Sequence, residues 1–250
     1  VLLVDGQEGI GIPGNDPGLV RGLNVFESMR TYGRAPFRLE QHLDRLEASA
    51  TAIEVPFPSR DVLRAEVARV IDADDRWVRV LLTAGGHRVV ESGPVDASKV
   101  GRAVQVARVD WEPSPWLPGS IKHTSRAGWQ RAAVEMGVDE VLFVDRAGGL
   151  LEANQSNIFA VIGGALRTPA ADGRILSGVT RSAMLEAAAE AGVPVEVGFV
   201  PAAGPFDELY VSSTYKQLAP CRLDGGPPLA GPIGARVFAA FQVLVTRETG

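Results

Sequence analysis

Cysteine is nearly absent from this 250-residue chain; the single thiol, Cys221, excludes an intrachain disulfide and fits a reducing compartment. Three scattered histidines beside that one cysteine offer no metal-ligand spacing, so no metal is expected. No apolar run reaches the length of a bilayer crossing, which excludes a helical membrane span. The opening residues V-L-L-V-D-G carry neither a basic region nor a cleavage site, and the cytoplasm is the expected address. Basic runs are missing too, and a net charge of −5 argues against nucleic acid as a partner. Lysine is the last scarcity. Of 25 basic side chains only Lys99, Lys122 and Lys216 are lysines. Arginine stays protonated at any working pH, whereas a desolvated lysine can lose its proton and attack a carbonyl carbon.

What is present is ordinary for a globular chain: 46% hydrophobic and 22% charged residues, enough to bury one large core or two smaller ones. V-F-E-S-M-R-T-Y (25–32) is rich in strand formers, and G-R-A-P (33–36) is turn chemistry. Leu39, Leu43, Leu46 and Ala50 recur at helical spacing through 39–53. Ser59 is placed to cap a second helix running to about residue 71. Segments 77–84 and 103–109 alternate or run apolar as strands do. W-E-P-S-P-W-L-P-G (111–119) holds three prolines in nine residues and reads as a stiff connector. It therefore marks the expected boundary between a small domain, 1–110, and a larger one, 120–250. Beyond it the pattern predicts a helix around 121–136 and a strand over 138–145. A hairpin at Gly163-Gly164 comes next, then a loop running into a helix over 175–192. Strands over 193–200 and 208–214 and a last helix over 234–245 complete the chain.

Several residues are candidates for chemistry, each with a plainer reading beside it. Lys122, at the head of I-K-H-T-S-R, is a candidate nucleophile or a solvated lysine near a helix start. Glu152, where alternation gives way to A-N-Q-S-N, could hold a ring N–H or be a loop carboxylate. Gly178, Val179 and Thr180 open a helix whose free N–H groups suit a phosphate, though threonine also simply caps helices. Ser212, Ser213 and Thr214 end a strand with clustered hydroxyls, fit for an anion or for a turn. Arg45 shares a helix face with His42 and could fork onto phosphate oxygens or face water. Together these supply what pyridoxal phosphate demands: a lysine for its aldehyde, an acid for its ring nitrogen, and donors for its phosphate.

Their order along the chain resembles that of the class IV aminotransferases, the fold-type IV group of pyridoxal phosphate enzymes. The resemblance runs from about Asp16 to Pro220. R-G-L-N-V-F-E-S-M-R is similar to the family's R-G-x-G-V-F-E-T-x-R strand. H-L-D-R-L matches H-x-x-R-L, which makes Arg45 a phosphate ligand, and I-K-H-T-S-R matches the segment bearing the Schiff-base lysine, Lys122. L-E-A-N-Q-S-N-I-F matches E-x-x-x-S-N-x-F, with Glu152 as ring-nitrogen partner and Asn157 beside the cofactor. I-L-S-G-V-T-R matches L-x-G-[IV]-T-R, bringing Gly178, Val179 and Thr180 to the phosphate. Y-V-S-S-T-Y-K-Q-L-A-P resembles the last phosphate element, with Ser213 and Thr214 in that role.

The resemblance implies an α+β protein with a small N-terminal α/β domain and a larger C-terminal domain around a β-barrel-like core. It also implies pyridoxal 5'-phosphate in the cleft between the two, and a homodimer. It implies an aminotransferase moving an amino group between a small-molecule amino donor and a 2-oxo acid acceptor. The alternatives are aminodeoxychorismate lyase, which releases 4-aminobenzoate and pyruvate, and a phosphate-ligand binding protein without turnover. Ser28, Arg126 and Tyr215 are expected near the substrate. His87 and Arg88, in T-A-G-G-H-R, are expected either there or on a plain surface hairpin. Two departures stand out: G-L-N (22–24) replaces a frequent G-D-G, and Arg126-Ala127 stand where relatives place a tyrosine.

Overall fold

A computed structural model describes all residues from Val1 to Gly250, and the chain divides into two compact units. The first comprises 1–96 with the short segments 121–125 and 248–250; the second comprises 97–120 and 126–247.

The first unit contains β1 (Leu2–Val4), α1 (Pro17–Val20), β2 (Asn24–Tyr32), β3 (Ala35–Pro36), α2 (Leu39–Ala52), α3 (Arg60–Val70), β4 (Arg76–Thr83) and β5 (Arg88–Pro94). Its strands form one antiparallel sheet in the order β1-β5-β4-β2-β3. Alternation along β2 sends Val25, Glu27, Met29 and Thr31 to one face, all fully buried, and Phe26, Ser28 and Arg30 to the other. Leu43, Leu46 and Ala50 of α2 are buried at helical spacing. Ser59 caps α3, its Oγ accepting from Val62 N at 3.4 Å. β5 was not anticipated: R-V-V-E-S-G-P mixes charge, glycine and proline, yet it lies inside the sheet, paired on both edges.

The second unit contains β6 (Val104–Asp110), α4 (Ala127–Met136), β7 (Glu140–Val144), β8 (Leu150–Ala153), β9 (Asn157–Ile162), β10 (Ala165–Thr168), α5 (Val179–Glu190), β11 (Val195–Val197), β12 (Glu208–Ser213), β13 (Gln217–Leu223) and α6 (Pro232–Thr249). Eight strands in the order β11-β10-β9-β12-β13-β6-β7-β8 curl into a half-barrel. Val106, Leu142, Ile158, Leu209, Val211 and Cys221 belong to its core. A second cluster packs Trp111, Trp129 and Phe143 together, with 4.3 Å between the Trp111 and Phe143 rings. No helix is long and apolar enough to cross a membrane.

Four differences from the sequence-based expectation have physical causes. The division between units falls at 96/97, not in the prolines, because β6 pairs with β7 and β13 in the second sheet. The proline-rich stretch accordingly lies inside the second unit. The helix expected from 121 begins at Ala127, because backbone groups of 122–124 are bonded to residues of β2 and α2 instead. Of 193–200 only Val195–Val197 forms a strand, since proline and glycine bracket it. Finally, α6 is longer than expected at both ends: Pro232 opens it, and Glu208 accepts from Ile233 N and Gly234 N at 2.9 and 2.7 Å.

Candidate active site

His42, Arg45 and Ser49 recur three and four residues apart, which stacks them along one stripe of α2. His42 and Arg45 converge on Glu27, and Ser49 reaches the segment of Lys122. Arg45 forks onto Glu27, Nε to Oε1 and Nη2 to Oε2, both at 2.7 Å. His42 Nδ1 meets the same Oε2 at 2.7 Å. Burial by itself raises the Glu27 pKa, but the charge of Arg45 and the hydrogen bonds from Arg45 and His42 outweigh it and hold the carboxyl well below the usual range. Burial pushes the His42 pKa down, assisted by the charges of Arg45 and Lys122 nearby.

Ser49 serves the lysine segment: its Oγ accepts from Lys122 N at 3.2 Å. The Lys122 carbonyl accepts from Phe26 N at 2.9 Å, so the backbone is held on both flanks. Asn24 fastens the next turn, its Oδ1 accepting from Thr124 Oγ1 at 2.7 Å and Thr124 N at 3.3 Å. Gly22 must be glycine here, since a Cβ would stand 2.5 Å from Ser125 Oγ and φ is +67°. So held, Lys122 Nζ lies 4.8 Å from the centre of the Phe26 ring. Ser28 and Arg30 follow Phe26 on the same face of β2. Arg30 is buried, and its Nε and Nη1 have no hydrogen-bond partner; the guanidinium stacks 4.4 Å over Tyr32.

His87 and Arg88 are occupied elsewhere. His87 Nδ1 meets Asp5 Oδ2 at 2.7 Å, and Arg88 Nε lies 2.9 Å from both Glu66 oxygens. Both side chains are bonded to acids of the first unit and lie half-buried.

In the second unit Glu152 lies buried in β8, its Oε2 accepting from Asn157 Nδ2 at 3.2 Å and Leu176 N at 3.1 Å. Asn157 Nδ2 also donates to Leu176 O at 2.8 Å. Gly178 approaches this amide so closely that a Cβ would lie 2.0 Å from Asn157 Oδ1. As N-cap of α5 it offers no side chain, so no side chain covers the N–H groups opening the helix at Val179 and Thr180. Ser212 stands opposite Asn157 in the β9–β12 ladder, and its buried Oγ has no hydrogen-bond partner. Ser213 Oγ accepts from Lys216 N at 3.3 Å; Thr214 and Tyr215 follow, half-buried. Arg126 donates to Asn154 O at 3.4 Å and lies 5.3 Å from the Trp129 ring.

Sequence reasoning singled out Lys122 and Arg45 but gave no role to Glu27, Ser49 or Asn24, which hold them. The signals available for Glu27 were its place in V-F-E and a carboxylate in a strand core. The other two lysines differ in setting: Lys99 is exposed, and Lys216 Nζ is 2.6 Å from a Glu140 oxygen. A salt-bridged ammonium is a poor nucleophile.

A mixed α+β chain with a curled eight-stranded half-barrel and a second sheet has the fold of the fold-type IV aminotransferases. The model of the amino-transferase class IV family matches residues 24–223, and the chain belongs to that family of pyridoxal-phosphate-dependent enzymes. It is similar to a putative branched-chain-amino-acid aminotransferase of Methanocaldococcus jannaschii, 30% identical over 84% of this chain and 82% of the relative. It is also similar to a D-alanine aminotransferase of Listeria monocytogenes, 28% identical over 94% of this chain and 91% of the relative. Among solved structures, a hypothetical aminotransferase from Mycobacterium tuberculosis in PLP-bound form superposes with a TM-score of 0.84 at 25% identity, covering 96% of this chain and 98% of that one.

Proposed function

We propose that this enzyme moves an amino group between an amino acid and a 2-oxo acid, with Lys122 holding the cofactor's aldehyde carbon through Nζ. The names of its relatives make branched-chain amino acids and D-alanine the first donors to try. The observation that carries the reading lies on one face of β2, where the Lys122 amine sits over Phe26 and the face continues to Arg30, whose buried Nε and Nη1 make no hydrogen bond. A buried cation without a counter-ion calls for an anion, and an amino acid brings a carboxylate.

Each unit carries residues that fit pyridoxal phosphate. Arg45, oriented by Glu27, presents a guanidinium suited to phosphate oxygens. The start of α5 at Val179 and Thr180, with the hydroxyls of Ser213 and Thr214, supplies further phosphate donors. Gly178 brings no side chain to the start of the helix, and Ser212 Oγ is a buried hydroxyl without a hydrogen-bond partner. Glu152, steadied by Asn157, is an acceptor for the ring N–H. When bound, the cofactor supplies an aldehyde that takes up amines and a protonated ring that accepts an electron pair. As a free amine, Lys122 Nζ would be the base that receives the donor's α-proton. Phe26 shields that amine on one side and keeps it from full hydration.

A half-reaction screen tests this. D-alanine, L-leucine, glutamate and (R)-1-phenylethylamine are each mixed with the yellow enzyme, and conversion to the pyridoxamine form is followed by absorbance. At least one amino acid should convert it. If none does, while aminodeoxychorismate yields pyruvate, the lyase reading replaces this one.

A further inference from the structure

Glu140 opens β7 with a fully buried side chain, and its carboxylate fastens two turns at once. Oε1 accepts from Ser156 Oγ at 2.9 Å and lies 2.6 Å from Lys216 Nζ. Oε2 accepts from Gln155 N at 3.3 Å. Gln155 and Ser156 form the turn between Glu152 and Asn157. Lys216 lies with Thr214 and Tyr215 in the turn that follows Ser213, the last residue of β12. Its backbone is fixed as well, with N–H donating to Ser213 Oγ at 3.3 Å and carbonyl accepting from Gly101 N at 3.1 Å. A carboxylate taken wholly out of water is strongly disfavoured without a counter-charge. Lys216 supplies that charge, so the turn it belongs to is drawn onto the buried acid and held there.

We propose that the Glu140–Lys216 ion pair positions the Ser213–Thr214 turn to receive the cofactor phosphate. Lys216 acts through the turn and is not itself a phosphate ligand, because its ammonium is spent on Glu140. The proposal rests on the cofactor reading above. It gives a use to the third lysine and explains why a long cationic side chain should turn inward beside a half-barrel core.

Phosphate selectivity provides the test. Cofactor-free protein is titrated with pyridoxal 5'-phosphate and, separately, with pyridoxal, which has the aldehyde and ring but no phosphate. Absorbance of the bound form is read in each titration. Lys216→Met should weaken pyridoxal phosphate about 10–100-fold, the range expected for losing charge-assisted bonds, and leave pyridoxal unchanged. Lys216→Arg should restore most of the loss. Should Lys216→Met not fold, the double variant Glu140→Gln/Lys216→Met leaves no buried unpaired charge and should show the same selective loss. Equal weakening of both ligands, or no weakening of either, overturns the proposal. If the unaltered protein binds both ligands equally, the cofactor assignment itself fails, and this proposal with it.

Discussion

Arg45 on α2 and Glu27 on β2 meet in a two-pronged ion pair in which the Glu27 side chain is wholly buried and the Arg45 side chain is 11% exposed. The pair welds helix to sheet and fixes the plane of the arginine fork at the same time. His42 closes the cluster from the same helix stripe.

A pH-dependent stability follows from that cluster. The folded protein holds the Glu27 pKa below its ordinary 4.5, so the stabilisation is present above that value and is lost as pH falls toward the folded pKa. His42 acts in the same direction: its folded pKa lies below 6.5, so the unfolded chain takes up the proton first as the solution is acidified. Glu27→Gln should cost about 3 kcal/mol at pH 7, because it strands Arg45. Its urea-unfolding free energy should then fall less steeply between pH 5 and pH 3 than that of the parent. Parallel lines for the two proteins would place the acid sensitivity elsewhere.

Removing the lysine amine separates chemistry from folding. Lys122→Ala should unfold at nearly the parent temperature, since only the part of the side chain over Phe26 is lost. Borohydride should no longer fix pyridoxal phosphate to the protein, and turnover should drop about 10²–10⁴-fold or more. Lys99→Met, altered at an exposed site, should behave as the parent in both assays. Borohydride fixation at any other residue in the parent, read by peptide mass, would remove Lys122 from its role.

Gly178 can be tested by one methyl group. Gly178→Ala drives a Cβ into Asn157 Oδ1, so the amide must move and its bond to Glu152 with it. The expected cost is about 1–3 kcal/mol in thermal or urea unfolding, together with weaker cofactor binding by titration. An unchanged affinity would mean that Asn157 has no part in holding the ring acid.

Arg30 offers the opposite trade. Its buried Nε and Nη1 make no hydrogen bonds, so Arg30→Met should leave stability unchanged or raise it. The Michaelis constant for an amino acid donor should rise about 10–100-fold, matching the loss of a charge-assisted contact, with little change for (R)-1-phenylethylamine, which has no carboxylate. A stable variant with both constants unaltered argues against a carboxylate at this arginine.

How far the sequence could be read differs from element to element. Strand β2 and helix α2 were legible because alternation and three-to-four spacing are local signals, complete within one segment. The start of α4 was not: Thr124 N is taken by an asparagine one hundred residues earlier, and nothing near 124 announces it. β5 was hidden because its place inside a sheet depends on β1 and β4, not on its own mixed composition. His87 and Arg88 were ambiguous for the same reason, since Asp5 lies over eighty residues away along the chain.

The order of motifs, which survives in one dimension, determined the family, the cofactor and the lysine on which the chemistry is proposed to turn. Hydrogen bonds and ion pairs between distant segments decided the rest. They set which carboxylate grips Arg45, how Ser49, Phe26 and Asn24 frame Lys122, that Arg30 lies buried without an acceptor, and that Lys216 turns inward to Glu140. Spacing along a chain reports which residues share a helix face or a strand side. Which polar atoms must answer one another is settled only when burial removes the water that would otherwise satisfy them.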